Sequence, residues 1–245
     1  MNRLRLHLIL LLCLCATFIQ AQQLSLFTQY RENLTVINPA AVGSNYLAYG
    51  DNLSFGASYR VQWQGFENAP TTATLRGNYL YDAGGSFSLL GGGYLINDQT
   101  GPTGFTGLYG RVGGVISQDP YYGGIAVGLS FGMVQFRVNS SEILLREQND
   151  ILAGNDQNQF FPDVGLGVFA YQRISGGAFD DDIVYGGLSV PQVIGLDLTF
   201  SGENGDFLTR RIQHFYGVLG FYKFFRDDSF LEPSVWVKYG QGAPV

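Results

Sequence analysis

Between Leu53 and Trp63 every second residue is apolar, namely Leu53, Phe55, Ala57, Tyr59, Val61 and Trp63, with Ser54, Gly56, Ser58, Arg60 and Gln62 between them. A period of two is the mark of a β-strand with one apolar and one polar or small face. After a short loop the pattern resumes, with Ala73, Leu75, Gly77 and Tyr79 alternating with Thr72, Thr74, Arg76 and Asn78. The same reading predicts nine strands, over 53–63, 71–81, 86–97, 105–117, 122–137, 163–174, 183–190, 213–225 and 230–239. Many are ten residues or longer, beyond the five or six usual in soluble sheets and long enough to cross a bilayer when tilted.

Phase alone does not name the cover of the apolar face. Ile125, Val127, Leu129, Phe131 and Met133 oppose Gly124, Ala126, Gly128, Ser130 and Gly132, and Leu231, Val235, Val237 and Tyr239 oppose Glu232, Ser234, Trp236 and Lys238. A secreted β-sandwich would bury the first set of each pair, and a barrel would turn it to lipid. Connection lengths separate the two. Asp82–Gly85, Gln118–Tyr121, Ser175–Asp182 and Arg226–Ser229 are compact turns, whereas Asn139–Pro162 and Pro191–Arg211 are long and polar. Gly65–Pro70 and Asn97–Gly104 are intermediate and fall in the long positions of the alternation. With 22–52 as an N-terminal periplasmic segment, every short turn faces the periplasm and every longer loop the outside, the asymmetry of outer-membrane barrels. The expected fold is therefore all-β, an antiparallel transmembrane β-barrel of the outer-membrane type over 53–245. Lipid covers its apolar face, Tyr59, Trp63, Tyr79, Tyr81 and Tyr239 belong to interfacial girdles, and Arg60, Gln62, Arg76 and Asn78 line the lumen. Nine strands are an odd number, and single-chain bacterial barrels have even ones. The ninth strand is left without a return partner, so the expected barrel is incomplete.

Composition narrows the class further. Arg3 and Arg5 precede the mostly apolar run 8–19, which ends at Gln20-Ala21, the pattern of a secretory signal peptide over 1–21. Cys13 and Cys15, the chain's two cysteines, leave with it, so neither a disulfide framework nor thiol chemistry is expected. The mature chain then has 12 Lys and Arg, the total of 14 less Arg3 and Arg5, against 20 Asp and Glu. An acidic chain is a poor partner for nucleic acid. No later run of 18 apolar residues suggests a spanning helix. Glycine is abundant, 34 of 245 residues, but it lies inside alternating aromatic-rich strands, as neither disorder nor collagen would place it.

Candidate chemistry is sparse. His214 is the one histidine after the signal, and no spacing selects a serine and an acid to act with it. Gly165–Ala170 fits a loose G-x-G-x-x-A but lies within a strand and opens no helix. Asp180-Asp181-Asp182 and Asp227-Asp228 lack the calcium-loop pattern and read as solvated turn residues. No cofactor, metal or catalytic set is expected. Phe160 and Phe161 stand in the polar stretch 155–163, where exposed aromatics on a loop either meet a partner or fold back as a lumen plug.

Four stretches in order resemble the PorP/SprF family of type IX secretion system outer-membrane proteins. They are Phe27-Thr28-Gln29-Tyr30 leading to Asn38-Pro39-Ala40 and Gly43; Tyr59-Arg60, Gln62-Trp63, Gly65-Phe66 and Ala69-Pro70; Asn97-Asp98, Gly101-Pro102-Thr103, Thr106-Gly107 and Tyr109; and Leu231, Pro233-Ser234, Val237-Lys238-Tyr239 and Gly242-Ala243-Pro244. The resemblance spans 24–245. Arg31-Glu32-Asn33 depart from it, standing where the family more often has apolar residues. It implies a non-enzymatic barrel that aids secretion or surface attachment of cargo with a C-terminal sorting domain, some members serving gliding adhesins. Periplasmic components of the same machinery are the implied partners, and the motifs are implied to be structural. Family chains usually run on past G-A-P, which makes this chain a C-terminally truncated member by expectation. A solute channel is the rival reading, and a fragment that never assembles a weaker third.

Overall fold

The computed structural model describes residues 30–66, 68–139, 157–194, 197–202, 205–210, 213–225 and 229–240. Two short helices, α1 (Leu34–Ile37) and α2 (Ser44–Tyr49), precede the strands β1 (Leu53–Val61), β2 (Thr71–Asp82), β3 (Phe87–Thr100), β4 (Thr103–Ile116), β5 (Gly123–Val138), β6 (Gln157–Arg173) and β7 (Ile183–Val190). There follow β8 (Asp197–Gly202), β9 (Gly205–Arg210), β10 (His214–Phe224), β11 (Phe230–Leu231) and β12 (Ser234–Gly240). Apart from β8 and β9, which pair with each other, the strands form one antiparallel ten-stranded sheet in sequence order. Both β11 and β12 pair with β10 and share one place, interrupted at Glu232-Pro233. Proline has no N–H to give the ladder.

All nine expected strands are present, with shifted ends. Two expectations about links change. The supposed intermediate link 97–104 is a two-residue hairpin: Thr100 pairs with Thr103, and Gly101 turns the chain at φ +55, a dihedral that glycine adopts without a Cβ penalty. The long link 191–211 holds the β8–β9 ladder, from Asp197↔Arg210 to Gly202↔Gly205. One end of the sheet carries the links 83–86, 117–122, 174–182 and 225–229 and is called the turn end; the other is the loop end. Among the described residues no helix is long and apolar enough to cross a membrane.

Burial settles the question that phase left open. In β5, Ile125, Val127, Leu129, Phe131 and Met133 are exposed, while Ala126, Ser130 and Val134 are buried. Leu75, Leu89, Leu108, Val112, Leu166, Leu188, Leu219, Val235 and Val237 are exposed in the same way. The apolar set thus faces outward, the reverse of a soluble sandwich and the pattern of a barrel in lipid. Tyr59, Trp63, Tyr79, Tyr81 and Tyr239 are exposed near strand ends.

What the sheet encloses is its own N-terminal segment. Residues 30–50, part of the stretch 22–52 read from sequence as an N-terminal periplasmic segment, pack on the inner face of the sheet. Leu34, Ala40, Ala41, Val42, Tyr46 and Leu47 join Phe169, Tyr171, Tyr185 and Tyr222 in one core, and Val36 and Ile37 join Tyr94, Tyr109, Val134 and Phe161 in a second. The physical reason lies in the segment itself. It is too apolar to remain in water, and the glycine-rich inner face leaves it room. Because the neighbours Arg31 and Glu32 touch β11/β12 and β2 respectively, the sheet curls around the segment into an open barrel. Among the described residues its two ends, β1 and β12, are each paired on one side, to β2 and β10.

Candidate functional site

The most densely bonded part of the interior is the Asn38-Pro39-Ala40 turn. Asn38 donates from Nδ2 to the Val168 carbonyl at 3.0 Å, and its Oδ1 accepts from the Ala40 N–H at 2.9 Å. Arg111 donates from Nη1 to the carbonyls of Pro39 (3.0 Å) and Ala41 (2.8 Å), and Ser189 donates to that of Ile37 at 2.9 Å. These carbonyls follow a single turn of helix and have no helical N–H to bond, so strand side chains serve them.

Three glycines on successive strands make the seat. A Cβ on Gly128 would stand 2.7 Å from the Ala40 Cα, one on Gly167 would stand 3.1 Å from the Pro39 Cδ and strike the Asn38 Oδ1, and one on Gly187 would stand 2.7 Å from the Asn38 Nδ2. Gly128 and Gly167 are direct register partners. The inward glycines are the space that the turn occupies.

Upstream of the turn, residues 30–33 contact opposite ends of the sheet by turns. Tyr30 stacks on Trp236 of β12 with ring centroids 4.8 Å apart. Arg31 lies 2.9 Å from Glu232 and over the Phe230 ring at 5.0 Å. Glu32 pairs with Arg76 of β2 at 2.5 Å, and Asn33 accepts from Thr74 of β2 at 3.4 Å. Arg31 and Glu32 also pair with each other at 3.1 Å, so Arg76, Glu32, Arg31 and Glu232 form one row of alternating charge. Burial acts to lower the Arg31 pKa, but the neighbouring Tyr222 and the charges of Glu232 and Glu32 outweigh that and raise it. Glu232 takes a further bond from Tyr185 at 2.6 Å.

At the turn end Tyr46 of α2 meets Tyr171 edge to face, and burial pushes the Tyr46 hydroxyl up to about 12. Asp182, read from sequence as a solvated turn residue, is fully buried and holds Lys223 at 2.7 Å and the Phe224 N–H at 3.0 Å. Towards the loop end Tyr94 and Tyr109 stack at 4.5 Å, and Tyr109 donates to the buried Asp163 at 2.7 Å. Between α1 and β3–β4 the interior narrows to a cavity of about 20 Å³, room for roughly one water.

The residues singled out from the family-like motifs and described in the structure fall in four places. Tyr30, Asn38 and Pro39 belong to the inner segment. Tyr59 and Arg60 lie at the end of β1, and Gln62, Trp63, Gly65, Phe66, Ala69 and Pro70 build the β1–β2 loop, where Gln62 N–H bonds the Pro70 carbonyl at 2.8 Å, Trp63 and Gly65 take φ +56 and +105, and Trp63 and Phe66 are exposed. Asn97, Asp98, Gly101, Pro102 and Gly107 build the β3–β4 hairpin, with Asn97 donating to Thr106 at 2.8 Å. Pro233, Ser234, Lys238 and Tyr239 lie at and after the break before β12, Lys238 over the Tyr216 ring at 5.7 Å. Phe27, Gln29, Gly242, Ala243 and Pro244 lie outside the described residues.

Phe160 and Phe161 need correction. They stand inside β6, opposite Gln135 and Val134, rather than on a loop. The alternation of the strand turns Phe160 outward and buries Phe161 in the core beside Val36 and Ile37. His214 is buried at the start of β10. Sequence reasoning missed Arg111, Asp163 and the seat of Gly128, Gly167 and Gly187, whose only signal was inward phase.

In a comparison with known families, a family described as "Type IX secretion system membrane protein PorP/SprF" matches residues 19–245. No curated protein and no solved structure matches the chain.

Proposed function

The chain belongs to the PorP/SprF family of type IX secretion system membrane proteins, and from that premise we propose that it is a non-enzymatic outer-membrane component that helps deliver or anchor secreted cargo. The observation that carries the reading is the family match together with the outward apolar face, which suits a β-structure embedded in lipid. The cargo is a protein with a C-terminal sorting domain, gliding adhesins included, and periplasmic components of the same system are further partners.

Binding is the mechanism. An extended segment of cargo pairs its backbone with an unpaired strand edge, which supplies main-chain hydrogen bonds, while alternate side chains set specificity. The exposed Trp63 and Phe66 on the β1–β2 loop offer aromatic contacts beside it. A solute channel fits less well, because the interior is filled by residues 30–50.

Deleting the gene and comparing surface proteomes tests the reading. The expected result is loss of one or a few large proteins with C-terminal sorting domains and unchanged solute uptake. An unaltered surface proteome would overturn it.

A further inference from the structure

Residues 30–50 contribute no strand to the sheet, and the wall that encloses them is polar where it meets them. Thr74 and Arg76 of β2, Arg111 of β4, Ser130 of β5 and Ser189 of β7 are all buried. A wall made only for permanent dry packing has no use for such groups, because a buried polar atom without a partner costs stability. The docked segment leaves several of them in that state. Arg76 Nη1, Arg111 Nε and Nη2, and Oε1 of Gln192 beside α1 have no hydrogen-bond partner.

Arg111 is the extreme case. It is 4% exposed, and among the described residues no carboxylate pairs with it. Its Nη1 donates to the Pro39 and Ala41 carbonyls at 3.0 and 2.8 Å, both of them neutral. The unpaired Nε and Nη2 form the side of the guanidinium that grips two oxygens of one anion at once. Register sets Arg111 in a row with Asn78, Gly92 and Ser130, and its Nε would stand 3.1 Å from a Cβ on Gly92. The arginine thus lies over a bare stretch of β3, and its neighbours in the row are small or able to donate a hydrogen bond. Arg76 is served by Glu32 at 2.5 Å, a carboxylate that belongs to the segment and would leave with it.

We propose that residues 30–50 are a removable plug, that its removal uncovers an oxyanion site at Arg111, and that plug and anion compete for that arginine. The ligand is a small anion of the phosphate type, with two oxygens to offer. Docking shuts the site, since Nε and Nη2 are then closed off from solvent. Undocking opens it and lets the guanidinium take a counter-charge that neutral carbonyls do not supply. An anion that binds only the undocked form shifts the balance towards it by mass action. Against this stands the burial of Leu34, Ile37 and Leu47, each 1% exposed. The plug is therefore held by apolar burial and loosened by an unmet charge. The proposal concerns the interior alone, so it stands or falls apart from the identity of any cargo.

Val42→Cys reports the undocking, in the chain from Gln22 onward, which has no other cysteine, reconstituted in phosphatidylcholine vesicles. Val42 is 4% exposed, whereas Ala83 in the link 83–86 is exposed, so Ala83→Cys gives the rate of an open thiol. The reagent is a charged methanethiosulfonate and the ligand is inorganic phosphate, with sodium chloride holding the ionic strength constant. Val42→Cys should react more slowly than Ala83→Cys while the protein keeps its folded gel mobility. Its rate relative to Ala83→Cys should climb with phosphate, about tenfold at ten times the dissociation constant. Phosphate otherwise strengthens apolar burial and would slow the reaction, so the sign separates binding from a general salt effect. In Arg111→Gln the climb should vanish, and in Arg111→Lys, which keeps the charge without the fork, most of it should be lost. A relative rate that is flat or falls with phosphate, a thiol that never reacts in the folded protein, or an undiminished climb in Arg111→Gln would overturn the proposal. If Arg111→Gln does not fold, Arg111→Lys decides by the same criterion.

Discussion

Replacing Asn38 with Ala should test how firmly the inner segment is pinned. Asn38 is 2% exposed, and its amide joins two regions far apart in sequence: Nδ2 holds the Val168 carbonyl at 3.0 Å while Oδ1 holds the Ala40 N–H at 2.9 Å. Ala40 is wholly buried, so its N–H would be left without an acceptor, a loss of about 1–3 kcal/mol. The Val168 carbonyl is a strand acceptor, so losing its extra bond adds about 0.5–1.5 kcal/mol. Together these predict a destabilisation of about 2–4 kcal/mol. Urea unfolding in lipid vesicles, read by the heat-modifiable shift on a gel, measures it. Asn38→Leu restores the volume and not the bonds, and should lose a similar amount. If Ala costs less than about 0.5 kcal/mol, within the range of a surface change, the turn is not pinned as described.

Four further outcomes are expected. Gly167→Ala puts a methyl against Asn38 and the Pro39 ring and should cost about 1–3 kcal/mol as overpacking in the same unfolding assay. Leu129→Lys should cost about 2–4 kcal/mol if Leu129 faces lipid near mid-bilayer; a neutral result in vesicles would place that face in water. Asp182→Ala removes the Lys223 pair and the bond from Phe224 N–H and should cost about 1.5–3 kcal/mol, Lys223 being able to reach water, as a lowered urea midpoint would show. The Tyr46 hydroxyl titrates higher folded than unfolded, so its contribution is whole below pH 10 and lost as pH rises to about 12. Tyr46→Phe should flatten that part of the stability–pH curve.

Strand order and facing were readable because alternation is a local property: each residue of β5 or β12 announces its side of the sheet without reference to distant chain. The link lengths pointed to a membrane barrel, although 97–104 was misjudged, since strands that continue through Thr100 and Thr103 look like loop when their residues are polar. The β8–β9 ladder was hidden for the same reason, in strands of six residues each. Fate of the N-terminal segment was not readable at all. Nothing in Asn38-Pro39-Ala40 tells that its seat is Gly128, Gly167 and Gly187, because the match is between shapes brought together from distant positions. Arg31 and Glu32 look like ordinary surface charges until Arg76 and Glu232 are seen on either side of them.

The segment 30–50, early in the chain, is thus among the last parts that can find their place. Asn38 bonds a carbonyl 130 residues further on, and Ile37 a side chain 152 residues further on, so its binding surface does not exist until β5, β6 and β7 have emerged and paired. Contacts of such long sequence separation are slow to form. Through that interval the chain carries both an undocked apolar segment and unfilled strands, the condition under which aggregation competes with folding. Residues 30–50 therefore stay exposed for as long as the strands that seat them are unpaired, and the time to pair β5, β6 and β7 sets how long that hazard lasts.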